Sequence, residues 1–111
     1  MAQLLLLHDY RRQGRRVYFN REELNLLLGI YSRKVAHAIW RDYAIDHRSN
    51  MAVFSVFRRT QEQPTFAVTK IMLRGEKEPN YILLAGKRQL KSSRRLTELI
   101  DFMDRQLNLV E

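Results

Sequence analysis

The sequence predicts an α+β domain, a mainly antiparallel sheet of four to six strands with two helices packed on it, formed as one domain by residues 1–111. Three observations lead there. One segment near each end carries apolar residues at three- and four-residue intervals, the spacing of a helix face. Between them lie short runs rich in β-branched and aromatic residues. Only four glycines and two prolines punctuate 111 residues, so regular structure should fill most of the chain. An apolar fraction of 45% is that of a domain with its own core, not of a disordered basic tail.

Taken in order, residues 4–9 and 15–19 are short apolar or aromatic runs around Tyr10, Arg11, Arg12, Gln13 and Gly14, a spacing that suits a hairpin with Gly14 at its bend. Asn20 followed by Glu23 is a capping box: the Asn20 side chain accepts from the Glu23 amide while the carboxylate reaches back. The helix started there carries Leu24, Leu27, Leu28, Tyr31, Val35 and Ile39 as its core stripe. Leu26 and Ile30 fall off that stripe and call for a second cover.

Four strands follow at about 42–46, 51–58, 66–73 and 81–87, separated by a tight turn at 47–50 and loops at 60–65 and 74–80. In the second strand both faces are apolar, Met51, Val53 and Phe57 on one and Ala52, Phe54 and Val56 on the other, which places it inside the sheet. A last helix, from about Ser92 or Ser93 to Leu107, turns Leu96, Leu99, Ile100, Met103 and Leu107 inward and pairs Asp101 with Arg105 at i, i+4 on its outer side.

Charge carries the functional signal. Twenty basic residues against twelve acidic ones give a formal charge of +8, and fifteen of the twenty are arginine. The planar guanidinium forks onto phosphate, so this surplus points to a polyanion, DNA or RNA first. Cysteine is absent, which excludes disulfides and thiolate metal sites. The N-terminus has four consecutive leucines, Leu4 to Leu7, with no cation ahead of them, unlike a signal peptide, and no apolar run approaches the ~18 residues of a membrane span. A cytoplasmic protein without a membrane anchor or cofactor is the expectation.

Two basic groups are the candidate nucleic-acid-binding residues. Lys87, Arg88, Lys91, Arg94 and Arg95 put five cations into nine positions at the expected junction of last strand and last helix, where Ser92, Ser93 and free helix amides would join them around a phosphate. Arg11, Arg12, Arg15 and Arg16 surround the first bend, interleaved with Tyr10 and Tyr18, a pattern that tracks a backbone while rings stack on bases. Arg58 and Arg59 read as strand-end solubility.

No catalytic signature stands beside them, and the chain is not expected to be an enzyme. Asp42 and Asp46 would lie ~13 Å apart on a strand, too far for one metal ion. A metal-nuclease lysine motif fails at Lys70 because Val68 stands where its acid would be. The better expectation is that Asp42 pairs with a nearby arginine and Asp46 shapes the following turn. The alternative function is an oligomeric interaction module, a homodimer or the binder of an acidic protein, with Leu26, Ile30, Phe102 and Leu109 as its apolar patch.

The segments Val17-Tyr-Phe-Asn-Arg-Glu-Glu-Leu-Asn-Leu-Leu-Leu, Trp40-Arg-Asp-Tyr-Ala-Ile-Asp-His and Ala52-Val-Phe-Ser-Val-Phe-Arg-Arg59 resemble a family of short basic alphaproteobacterial proteins, domain of unknown function 2794. The resemblance spans 17–70, about half the chain. It implies a bacterial protein and transfers no activity, ligand or site residue.

Overall fold

A computed structural model describes residues 16–37, 40–58 and 63–110, with side chains through Arg105. Helix α1 (Arg21–Ala36) leads into strands β1 (Asp42–His47), β2 (Met51–Phe57), β3 (Phe66–Ile71), β4 (Asn80–Ala85) and β5 (Arg88–Ser93), and helix α2 (Leu96–Val110) closes the order. The strands form one antiparallel sheet in sequence order, each next to its chain neighbours. The expected α+β architecture is therefore present: two helices and a five-stranded antiparallel sheet.

Both helices lie on one face of the sheet. Strand register puts Ala52, Phe54 and Val56 of β2 beside Phe66 and Val68 of β3 and Tyr81 and Leu83 of β4 on that face. They meet Leu27 and Ile30 of α1 and Leu96, Leu99, Ile100 and Met103 of α2 in one buried cluster that also takes in Val17, Phe19 and Trp40. Removing these side chains from water supplies most of the stabilisation, roughly 1.5–3 kcal/mol for each large one. Arg33 of α1 and Asp104 of α2 join the helices at 2.9 Å, an exposed pair of little energetic consequence.

The capping box is formed as the sequence predicts. Asn20 Oδ1 accepts from the Glu23 amide and Glu23 Oε1 accepts from the Asn20 amide, both at 2.8 Å. The buried stripe of α1 is rotated from the expected one: its centre is Glu23, Leu27, Ile30 and Lys34, while Val35 is 39% exposed. Ile30, expected on an outer patch, is fully buried in the core.

Three expectations are corrected along the chain. Residues 16–20 form no strand; the backbone crosses the β1–β2 turn, held by Val17 N–H donating to the Arg48 carbonyl at 3.2 Å, and buries Val17 and Phe19 as it passes. The rest of the expected first hairpin lies outside the described residues. The chain reverses at Gly86 into β5, a strand not expected, because its single aliphatic residue, Leu90, gives almost no apolar alternation. It forms by adding a ladder to β4, and Gly86 supplies the positive φ of 62° that the reversal needs. As a result α2 starts at Leu96 rather than at Ser92 or Ser93.

Candidate nucleic-acid interface

Because the strands alternate in direction, the sheet has two distinct ends. The lower end holds the β1–β2 turn, the β3–β4 loop and the β5–α2 junction, and Met72 N–H donates to the Asn50 carbonyl at 3.1 Å between the first two. The upper end holds the residues just before β1, the β2–β3 connection and the β4–β5 turn.

The block from Lys87 to Arg95 does not form one cluster. Lys87 and Arg88 sit at the upper end, on the β4–β5 turn and the first position of β5. Lys91 lies midway, its ammonium 5.9 Å from the centre of the Phe102 ring, so Phe102 is half-covered by a cation and by the core instead of forming a bare patch. Arg94 and Arg95 are at the lower end. At strand rise, seven residues from Lys87 to Arg94 span roughly 23 Å.

The expected phosphate seat at the start of α2 is filled from within the chain. Ser93 Oγ donates to Glu98 Oε1 at 2.9 Å and accepts from the Arg95 amide at 3.0 Å, so the carboxylate of Glu98 meets the positive helix start. Arg94 is bound to Glu76 at 2.9 Å, which holds its guanidinium above its usual pKa. Arg48 is likewise bound to Asp46 at 2.9 Å, so Asp46 shapes the turn as expected. Asp42 makes no ion pair among the described residues; its Oδ1 accepts from the Tyr43 amide at 2.8 Å, a correction to its expected arginine partner. Arg105 Nε reaches the Asp101 carbonyl at 3.4 Å in place of its carboxylate.

Of the first basic group, Arg11, Arg12 and Arg15 lie outside the described residues. Arg16 precedes the Val17 contact with Arg48, hence at the lower end and beside β1, across the sheet from Arg94 and Arg95. Tyr18 is 54% exposed there, its ring 4.7 Å from that of His47. Leu26 is half-buried against the core, and Leu109 lies beyond the described side chains.

The upper end brings together cations the sequence kept apart. Arg41 stands just before β1, its amide donating to the Phe57 carbonyl at 2.8 Å, and Arg58 stands just after β2, its amide donating to Thr65 Oγ1 at 3.3 Å. With Lys87 and Arg88 they form a row of four exposed cations across the sheet, and none makes an ion pair among the described residues. At ~4.8 Å per strand the row extends roughly 19 Å, the length of about five base pairs of duplex. Only the return of β2 beside β1 juxtaposes Arg41 with Arg58, and only β5 brings Arg88 into line, so sequence spacing gave no sign of the row.

Buried polarity sits elsewhere. Glu23 Oε1 takes Lys70 Nζ at 2.8 Å, Glu23 Oε2 takes the Tyr81 hydroxyl, and Lys70 Nζ also donates to the Tyr18 carbonyl at 2.8 Å. Burial opposes the charge on Glu23, but the bonds from Lys70, Tyr81 and Asn20 outweigh it and hold the carboxyl below its usual range. Burial and the same carboxylate push the Tyr81 phenol well above its usual value. Every polar atom of this group is engaged, so it is a structural clamp from α1 to β3 and β4. Among the described residues no group of His, Asp and Glu is placed to hold a metal ion, and no helix is long and apolar enough to cross a membrane.

Fold and surface together define a small α+β protein with a basic row, without ion pairs among the described residues, along one end of its sheet. Residues 17–100 match the family described as a protein of unknown function, DUF2794, and the chain belongs to that family. No curated protein and no solved structure matches it.

Proposed function

We propose that the chain is a non-catalytic cytoplasmic protein that binds the phosphate backbone of DNA or RNA along the upper end of its sheet. The observation that supports this reading most is the row Arg41, Arg58, Lys87 and Arg88, four exposed cations without an acidic partner among the described residues. Like charges held side by side repel one another, and a polyanion converts that cost into attraction. Three of the four are guanidiniums, which fork onto phosphate oxygens. The cations of the lower end are a weaker candidate, since Arg48 and Arg94 already hold carboxylates.

The test is fluorescence anisotropy with labelled DNA and RNA over a range of salt. Four phosphate contacts on duplex DNA give a slope of log affinity against log salt of about −3.6, and Arg58→Gln with Arg88→Gln should flatten it by about 1.8. Arg94→Gln, whose side chain is committed to Glu76, should leave the slope unchanged. Binding that ignores the upper pair, or that prefers an acidic polypeptide such as polyglutamate to either nucleic acid, would sink this reading.

A further inference from the structure

Among the described residues two aromatic side chains are exposed, Tyr18 at 54% and Tyr43 at 40%, and of these Tyr43 lies toward the upper end of the sheet. It is the second residue of β1, two positions after Arg41, so both project to the same face of that strand. Their separation is about 7 Å at strand rise, a gap that one nucleotide bridges between its phosphate and its base. Asp42, between them, pairs with Phe57 across the ladder and is turned to the opposite face. β1 is an edge strand, with no neighbouring strand beyond it among the described residues. The Tyr43 ring is held from the protein side. It stacks on Phe54, wholly buried in the core, with centroids 5.5 Å and planes 24° apart, and it meets Tyr31 of α1 edge to face at 4.8 Å. Val35, one turn beyond Tyr31 on α1 and also exposed, extends this apolar strip. Ring contacts of this kind fix the aromatic surface before a ligand arrives, so little ordering cost is left to binding.

We infer that Tyr43 is a stacking platform for an unpaired base, and that the ligand of the upper end is single-stranded nucleic acid. The inference rests on the backbone reading above: Arg41 takes a phosphate, and Tyr43 takes the base of the adjoining nucleotide. In a duplex the faces of the bases are covered by their own neighbours, so a ring fixed at a strand edge has nothing to stack on. A single strand offers those faces, and every base has one, so the contact needs no particular sequence. An acidic polypeptide would satisfy the cations and leave the ring without a partner.

Anisotropy keeps the two readings apart. Single-stranded DNA and single-stranded RNA of about 12 nucleotides are titrated beside a duplex of the same sequence. Tyr43→Leu, which keeps apolar bulk and removes the ring, is expected to lose about tenfold in affinity for the single strands, with the salt slope and the duplex affinity unchanged. Tyr43→Phe, which keeps the ring, should stay within about twofold of the unaltered chain. An equal loss on single strand and duplex, the mark of a merely structural role, overturns the inference, and so does an unchanged single-strand affinity. In either case Arg58→Gln with Arg88→Gln still flattens the slope if the backbone reading holds, whereas a chain that binds no nucleic acid ends both readings. Should Tyr43→Leu fail to fold, the unaltered protein decides: a single strand carrying 5-iodouracil is photo-cross-linked to it and the adduct is located by mass spectrometry. The adduct is expected on Tyr43 in preference to Tyr18, which is more exposed but stands at the lower end. An adduct on Tyr18 at equal or greater yield, or none on Tyr43, overturns the inference.

Discussion

Glu23 shows how one residue can be half legible. Its place in the capping box follows from local spacing, Asn20 and Glu23 three apart, and the structure forms it. Its partners Lys70 and Tyr81 lie 47 and 58 residues away, and no local pattern announces them; only the fold brings β3 and β4 under the start of α1. With the side chains of Lys70 and Glu23 only 12% and 9% exposed, removing one partner leaves the other charge stranded. Glu23→Ala is therefore expected to cost about 3 kcal/mol or more in urea unfolding, and adding Lys70→Met to recover part of that loss. Because the folded carboxyl sits below its ordinary value of 4.5, its contribution is present above that pH and is lost as pH falls through the folded value. Tyr81 has the opposite sign. Its raised phenol pKa gives stability that is complete below the ordinary value of 10.0 and is lost as pH rises toward the folded value. Tyr81→Phe should flatten that alkaline loss of melting temperature while lowering stability at neutral pH by about 1–2 kcal/mol, the loss of a hydrogen bond to a charged group.

Elements with strong periodicity were readable and those held by their neighbours were not. Helix α2 shows the former: Leu96, Leu99, Ile100 and Met103 are all buried, as their spacing requires. In α1 leucines on nearly every side blurred the stripe, and the fold chose Leu27 and Ile30 because the cap fixes Glu23 toward Lys70, which sets the helix rotation. Strand β5 shows the latter. Arg88, Gln89, Leu90, Lys91, Ser92 and Ser93 have no strand alternation of their own, and the ladder to β4, with a register shift beside Leu83, is what orders them. Charge on such an edge strand also guards it against pairing with another sheet edge. Its formation hinges on the reversal at Gly86, where an added side chain meets open space but the positive φ remains unfavourable. Gly86→Val is accordingly expected to destabilise by about 1–2 kcal/mol through strain alone. Asn20→Ala, which removes the cap of α1, should cost about 1 kcal/mol by the same urea measurement.

At the scale of the whole molecule, composition showed a surplus of cations and the chain order hid where they would gather. Lys87 to Arg95 looked like a site because they are neighbours in sequence; a strand then drew them out along an edge, and the row at the upper end came from four residues on different connections. Because the four cations span roughly 19 Å, a duplex of about five base pairs already covers them, so the salt slope measured by anisotropy should stay near that of four contacts as the duplex is lengthened, and a slope that keeps steepening with length would place further contacts outside the row.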